Sequence, residues 1–195
     1  PAPMLDRVHV LLATDSADPS GVGRHMLTLG RELAVDQRTT LAFAGRVSGT
    51  GNEARAAGLD VRAYAEPAAL LAEVRPDLLH VHAGIGWEGH ALARAATAAG
   101  LPVVRTEHLP WLITDAEQEA EFAAAAADVD AFVAVSDAAA TTWAPVLARL
   151  APGATLAVIP NGVSMPPVTR PGTETRAALG IPAAAQLLLS VGRFT

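Results

Sequence analysis

The chain contains no cysteine. That excludes a disulfide framework, a cysteine-ligated zinc site and thiol catalysis, and it fits a reducing, cytoplasmic setting. Lysine is absent too, so all 14 basic residues are arginine. A phosphate-binding loop of the Gly-Lys-Ser/Thr type therefore cannot occur. Positive charge is scarce overall, with a net charge of −6 and a pI near 5.4. No basic stripe is visible, which argues against a nucleic-acid partner. The same shortage gives no sign of attraction to anionic lipid, so a membrane contact is left open but not indicated. No apolar run approaches the ~20 residues that span a bilayer. The start, Pro1-Ala2-Pro3-Met4, lacks the charged and apolar regions of a signal peptide.

What the chain does have is apolar content, 51% of 195 residues, enough for one sizeable core. Seven short apolar runs alternate with helical patterns: Val8–Ala13, Thr40–Ala44, Val61–Tyr64, Leu78–His82, Pro102–Thr106, Ala131–Val135 and Thr155–Ile159. Most are apolar on both faces, as in a parallel sheet covered on both sides. Between them, Val22, Met26, Leu29 and Leu33 trace one face of a helix, and Trp143, Val146, Leu147 and Leu150 repeat the pattern. Thr114 with Glu117 reads as a capping box opening a helix to about Ala127. Gly58 and Gly100 read as helix stops before strands. The expected fold is α/β, a Rossmann-like doubly wound parallel sheet with helices on both faces. Residues 1–160 form that domain. The proline-crowded stretch 161–185 reads as an interdomain linker with a short helix at Glu174–Leu179, and 186–195 as the first strand of a second domain.

In such a sheet, ligands bind beyond the carboxyl ends of the strands, where strand order reverses. The first strand runs into Ser20-Gly21-Val22-Gly23-Arg24-His25. Ser20 suits a helix cap, Gly21 lets a ligand approach the backbone, and the helix start favours an anion. An ordinary glycine-containing turn is the plainer reading, and the G-x-G-x-x-G dinucleotide fingerprint is missing. His80 and His82 share a strand face, so a metal pair is one reading and hydrogen-bonded crevice histidines the simpler one. Glu107-His108 invites acid/base chemistry. Neighbours in an extended segment point to opposite faces, however, so His108 is expected in the crevice and Glu107 away from it. Trp87 and Trp111 are candidates to stack on an acceptor, or they simply pack. Ser136-Asp137 ends a strand and caps a helix; Asn161-Gly162 makes a turn before the linker.

Six segments in this order resemble the family 4 retaining glycosyltransferases of GT-B fold: Gly21 with Arg24-His25, Pro76–His82, Pro102–His108, Val133–Ser136, Ile159–Val163 and Val191-Gly192-Arg193. Ser20-Gly21 stands where Gly-Gly is common, and Gly23 where an acidic residue often sits. The resemblance covers nearly the whole chain and implies transfer of a sugar from a nucleotide-diphosphate donor, with retention and without a metal or other cofactor. It places Gly21 and Val22 against the donor and His108 on the transferred sugar as the catalytic residue; His82, Ser136, Asn161 and Gly162 are expected to bind substrate or donor as well. Arg193 would pair with the diphosphate, a charge-assisted contact that strengthens as the bond breaks. The partners implied are a nucleotide sugar, a small-molecule or glycan acceptor, and a donor-binding second domain. A lysine after Arg193 and a Glu-x7-Glu segment are expected beyond Thr195, so the isolated chain is expected to be inactive. A non-catalytic binding domain and a nucleotide-dependent oxidoreductase are the alternatives.

Overall fold

The computed structural model describes residues 7–16, 20–47, 49–163, 165 and 167–190. Elements alternate strictly: β1 (His9–Thr14), α1 (Ser20–Asp36), β2 (Arg38–Ala44), α2 (Thr50–Ala56), β3 (Asp60–Tyr64), α3 (Pro67–Val74), β4 (Leu78–Ala83), α4 (His90–Ala98), β5 (Val103–Glu107), α5 (Ala116–Ala126), β6 (Ala131–Ala134), α6 (Asp137–Leu150) and β7 (Thr155–Val158). All strand pairs are parallel, in the order β3-β2-β1-β4-β5-β6-β7. The seven apolar runs are the seven strands, and the doubly wound reading holds.

Each face of the sheet buries a different set of side chains. Val10 and Leu12 of β1 pack with Val22, Met26 and Leu27 of α1 and Ala54 of α2. The alternate residues, Leu11 and Ala13, join a larger core with Leu70 and Leu71 of α3, Leu92 of α4, Phe122 of α5 and Trp143 of α6. This period of two is the strand pleat, and it explains why the runs are apolar throughout. The two helix stops form as expected. Gly58 and Gly100 have φ of +83° and +71°, and the N–H groups of Leu59 and Leu101 return to the carbonyls of Ala54 and Ala96.

One cap moves. The residue that opens α5 is Asp115, whose carboxylate accepts from the N–H groups of Glu117 and Gln118, not Thr114. A carboxylate one residue further on reaches the Glu117 N–H and the Gln118 N–H as well, and also meets the positive helix end. Whether Ser20 caps α1 lies outside the described residues.

The chain divides into two compact units, Pro1–Gly162 and Val163–Thr195. The second holds α7 (Gly172–Ala178), where Arg176 donates to the carbonyls of Pro182 and Ala185. Leu187–Ser190, read from sequence as the start of a strand, carry no sheet pairing. Val191, Gly192 and Arg193 lie outside the described residues. Among those described, no helix is long and apolar enough to cross a membrane.

Candidate active site

β1 and β4 are neighbours although three strands apart in chain order, so strand order reverses between them. Crevices at such reversals open at the carboxyl ends of the strands. Four histidines gather there. His80 and His82 lie two residues apart on β4, and their rings stack with centroids 4.2 Å apart. They face the α1 side of the sheet, as Leu78 does. His25 stands three residues after Val22, on the inward face of α1, with its ring centroid 5.3 Å from that of His82. His108 follows β5 directly, and its N–H is held by the carbonyl of Ala83. Its ring lies edge-on to His25 at 4.8 Å, and its Nε2 is 3.3 Å from Nδ1 of His82.

Burial governs the charge of this cluster. His82 is fully enclosed and its pKa lies well below the ordinary value, first from burial and then from repulsion by His80, His108 and His25. Burial, with the same kind of repulsion, pushes His80 down to about 3 and His108 to about 4. His25 is lowered by burial and partly restored by the Asn161 side chain beside it. All four rings are therefore neutral at pH 7. His80 bonds Thr106 Oγ1 at 2.7 Å. Nε2 of His82 is sealed from solvent without a hydrogen-bond partner, which costs about 1–3 kcal/mol.

The other face of β5 supports a loop, residues 84–89. Arg105 and Glu107 are both buried; Arg105 Nε donates to Glu107, and its Nη2 donates to the carbonyl of Gly86 at 3.0 Å. The guanidinium lies over Phe122, 5.4 Å from the ring centroid. Burial pushes the Glu107 carboxyl up, against the pull of Arg105. Glu88 accepts from the N–H groups of Gly84 and Ile85, and Asp15 accepts from the N–H of Gly89 through both oxygens. Gly89 has φ of +81°, and a Cβ there would strike Val81. The loop thus leaves Trp87 43% exposed beside the strand ends.

The sequence-selected residues separate into groups. His82 and His108 meet directly, and Asn161 reaches them through His25. Gly21 is exposed in the first turn of α1, with open space where a Cβ would be. The Val22 side chain is core, so a ligand could meet Val22 only through its backbone. Ser136 caps α6 by accepting from the N–H of Ala139. Gly162 is exposed after β7. Trp111 packs edge-on against Phe122 and Trp143, each at 5.1 Å, a packing place unlike that of Trp87. Glu107 faces away from His108, as the strand alternation requires. Sequence reasoning gave no role to Arg105, Asp15 or Glu88. It quoted His25 without a role, although His25 continues the inward face of α1. A groove of about 430 Å³ between α3 and α4, lined by Leu71, Arg75, Ala95 and Leu101, opens at the opposite ends of the strands and takes no part.

A parallel doubly wound sheet with its polar cluster at the order reversal is the architecture of one half of a GT-B glycosyltransferase. The chain belongs to Glycosyltransferase Family 4, whose model matches residues 19–165. No curated protein matches its sequence. Among solved structures it is similar to a glycosyltransferase from Rickettsia africae ESF-5, at 14% identity and a TM-score of 0.69, over 92% of this chain and 51% of that one. It is also similar to a structure named for a UDP-N-acetylglucosamine 2-epimerase from Listeria monocytogenes, at 13% identity and a TM-score of 0.56, over 77% and 43%. A third is Phytolacca americana UGT2 complexed with UDP-2fluoro-glucose and pterostilbene, at 6% identity and a TM-score of 0.52, over 83% and 56%. At these identities the likeness shows the fold alone. The chain spans about half the length of these structures.

Proposed function

We propose that this chain supplies the acceptor-side wall of a retaining glycosyltransferase that moves a sugar from a nucleotide diphosphate to an acceptor. The observation that carries the reading is the meeting of His82, His108 and His25 beside Asn161 at the strand-order reversal of a family 4 chain. Neutral imidazoles there accept from or donate to sugar hydroxyls without carrying charge into the crevice. The open first turn of α1, at Gly21, suits the close approach of an anionic donor. Trp87 offers a face for an acceptor ring. Arg193 is assigned to the leaving diphosphate, and the donor site is completed by a second domain. The transfer needs no metal, because arginine and helix-start charges neutralise the diphosphate. The UDP-2fluoro-glucose and pterostilbene with which the Phytolacca protein is complexed are in keeping with a nucleotide-sugar donor and a small acceptor. Cytoplasmic nucleotide sugars would supply it.

The test uses the complete enzyme with UDP-, GDP- and ADP-sugars, reading product anomeric configuration by NMR. His108→Ala should lower kcat by at least about 100-fold while the unfolding midpoint moves little. Parallel loss of kcat and stability would instead make His108 a packing residue. The 195-residue chain alone should turn over no nucleotide sugar and bind none with sub-micromolar affinity.

A further inference from the structure

The same three rings have a second capacity. We propose that His25, His82 and His108 form a three-histidine site for a transition-metal ion of the zinc class. Their ligand atoms all lie within 4.8 Å of one another. Two nitrogens bound to one zinc at about 2.1 Å, at the tetrahedral angle, stand about 3.4 Å apart. His82 Nδ1 and His108 Nε2 are 3.3 Å apart. One edge of the coordination tetrahedron is therefore already formed. The third ligand closes by a side-chain shift of about 1.4 Å or less.

The surroundings suit a metal ligand. His82 is fully buried and its Nδ1 faces the imidazole of His108, so the nitrogen that would bind the ion is turned toward a second ligand. Its Nε2 has no partner with or without the ion and is not a ligand of this site. His80 stacks on the His82 ring and is itself fixed by Thr106, which limits rotation of the His82 ring. His25 and His108 are only half-buried, so they provide an entry path and leave a fourth position open to water. The other three histidines are engaged elsewhere, His9 with Thr40, His80 with Thr106 and His90 with the Gly86 carbonyl. An all-imidazole set selects Zn²⁺, Co²⁺, Ni²⁺ or Cu²⁺ and discriminates against Mg²⁺ and Ca²⁺, which want oxygen ligands.

The metal site stands on the cluster alone. Its consequence, that a bound ion occupies His108 and blocks sugar transfer, rests on the function proposed above. The decisive measurement therefore omits sugar altogether. The chain is titrated with Zn²⁺ against a chromophoric chelator and with Co²⁺ by visible absorption. One equivalent should bind with a dissociation constant at or below about 10 μM, and Co²⁺ should give the intense band of a tetrahedral site. His25→Ala and His108→Ala should each weaken binding at least tenfold or so. Zinc-edge X-ray absorption on the unmodified chain should show three imidazole nitrogens at about 2.0–2.1 Å, a reading that does not depend on either variant folding. No saturation below about 1 mM, fewer than three imidazoles, equal competition by Mg²⁺, or unchanged affinity in both folded variants would overturn the site. None of those results would touch the sugar-transfer reading.

Discussion

The two faces of the β4–β5 pair solve opposite problems within a few ångströms. On the α1 face, His80, His82 and Thr106 present neutral groups beneath His25 and His108. On the other face, Arg105 and Glu107 put an arginine–carboxylate pair fully inside the core, next to Phe122. The neutral face is partly open and leaves one nitrogen unpartnered. The paired face is closed, and its bonds reach the loop 84–89 that carries Trp87. The proposed binding site thus sits on the face with weak internal bonding, and mechanical support on the face with strong bonding. Each role is served by side chains two residues apart on one strand, which share a face because the pleat sends successive residues to opposite sides.

Breaking the paired face should have the largest effect. Glu107→Leu strands a guanidinium that cannot give up its proton, and should cost about 3–5 kcal/mol in denaturant unfolding. Arg105→Met should cost less, because burial already pushes the Glu107 carboxyl toward its neutral form. The double variant Arg105→Met, Glu107→Leu should be more stable than Glu107→Leu alone. The Gly86 carbonyl still accepts from His90 Nε2 in every case. A double variant as damaged as the single would mean the loop contact, and not the buried charge, is what the pair provides.

Acid should attack the neutral face next. His80 and His108 have folded pKa values of about 3 and about 4, against about 6.5 unfolded. The unfolded chain therefore binds more protons as pH falls from 6.5 toward 3, and stability falls with it. The loss between pH 6.5 and 4 should be on the order of 3 kcal/mol, discounted for coupling between the rings and for the half-exposure of His108. Glu107 works the other way, since its raised pKa lets the folded form take up a proton first. His80→Asn should flatten the profile over that window. A slope unchanged by the substitution would assign the acid sensitivity to other groups.

The loop is the third point of contrast. Gly89→Ala places a Cβ against Val81 in a backbone with φ of +81°, and should cost about 2 kcal/mol. The change should also shift Trp87 emission, because Asp15 and Arg105 hold the loop only in its present path. Loss of stability without a spectral change would show that the loop relaxes without moving Trp87.

The strands and their parallel pairing were readable because short runs apolar on both faces, alternating with helical patterns, are what a covered parallel sheet requires. His82 and His108 were readable for the same reason, since each sits at the end of a run that ends at the sheet's carboxyl edge. The cap of α5 was off by one residue, because Thr114 and Asp115 are both good caps and only the backbone path chooses between them. The buried pair was harder to foresee. Arg105 interrupts an apolar strand, and nothing local says whether such an arginine points to solvent or finds Glu107 and the Gly86 carbonyl inside. The Asp15–Gly89 bond joins residues 74 apart and depends on β1 and β4 being neighbours. The four-ring cluster needed α1, β4 and β5 together, so only His80 with His82 could be paired from spacing.

The smallest effect should come from a pair with better geometry on paper than either face. Arg24 and Glu53 form two hydrogen bonds, at 2.7 and 3.1 Å, between α1 and α2. Their side chains are 58% and 51% exposed. Water screens both charges and competes for every donor, so removing Arg24 should cost about 0.5 kcal/mol. A double-mutant cycle on Arg24→Ala and Glu53→Ala isolates the coupling, and most of it should vanish in 1 M salt, where the Debye length is about 3 Å. A salt-resistant coupling near 2 kcal/mol, of the size expected only for a desolvated pair, would show that exposure is not what separates this pair from Arg105–Glu107. It would also make Arg24, one residue before His25, a structural anchor of the histidine cluster through the helix they share.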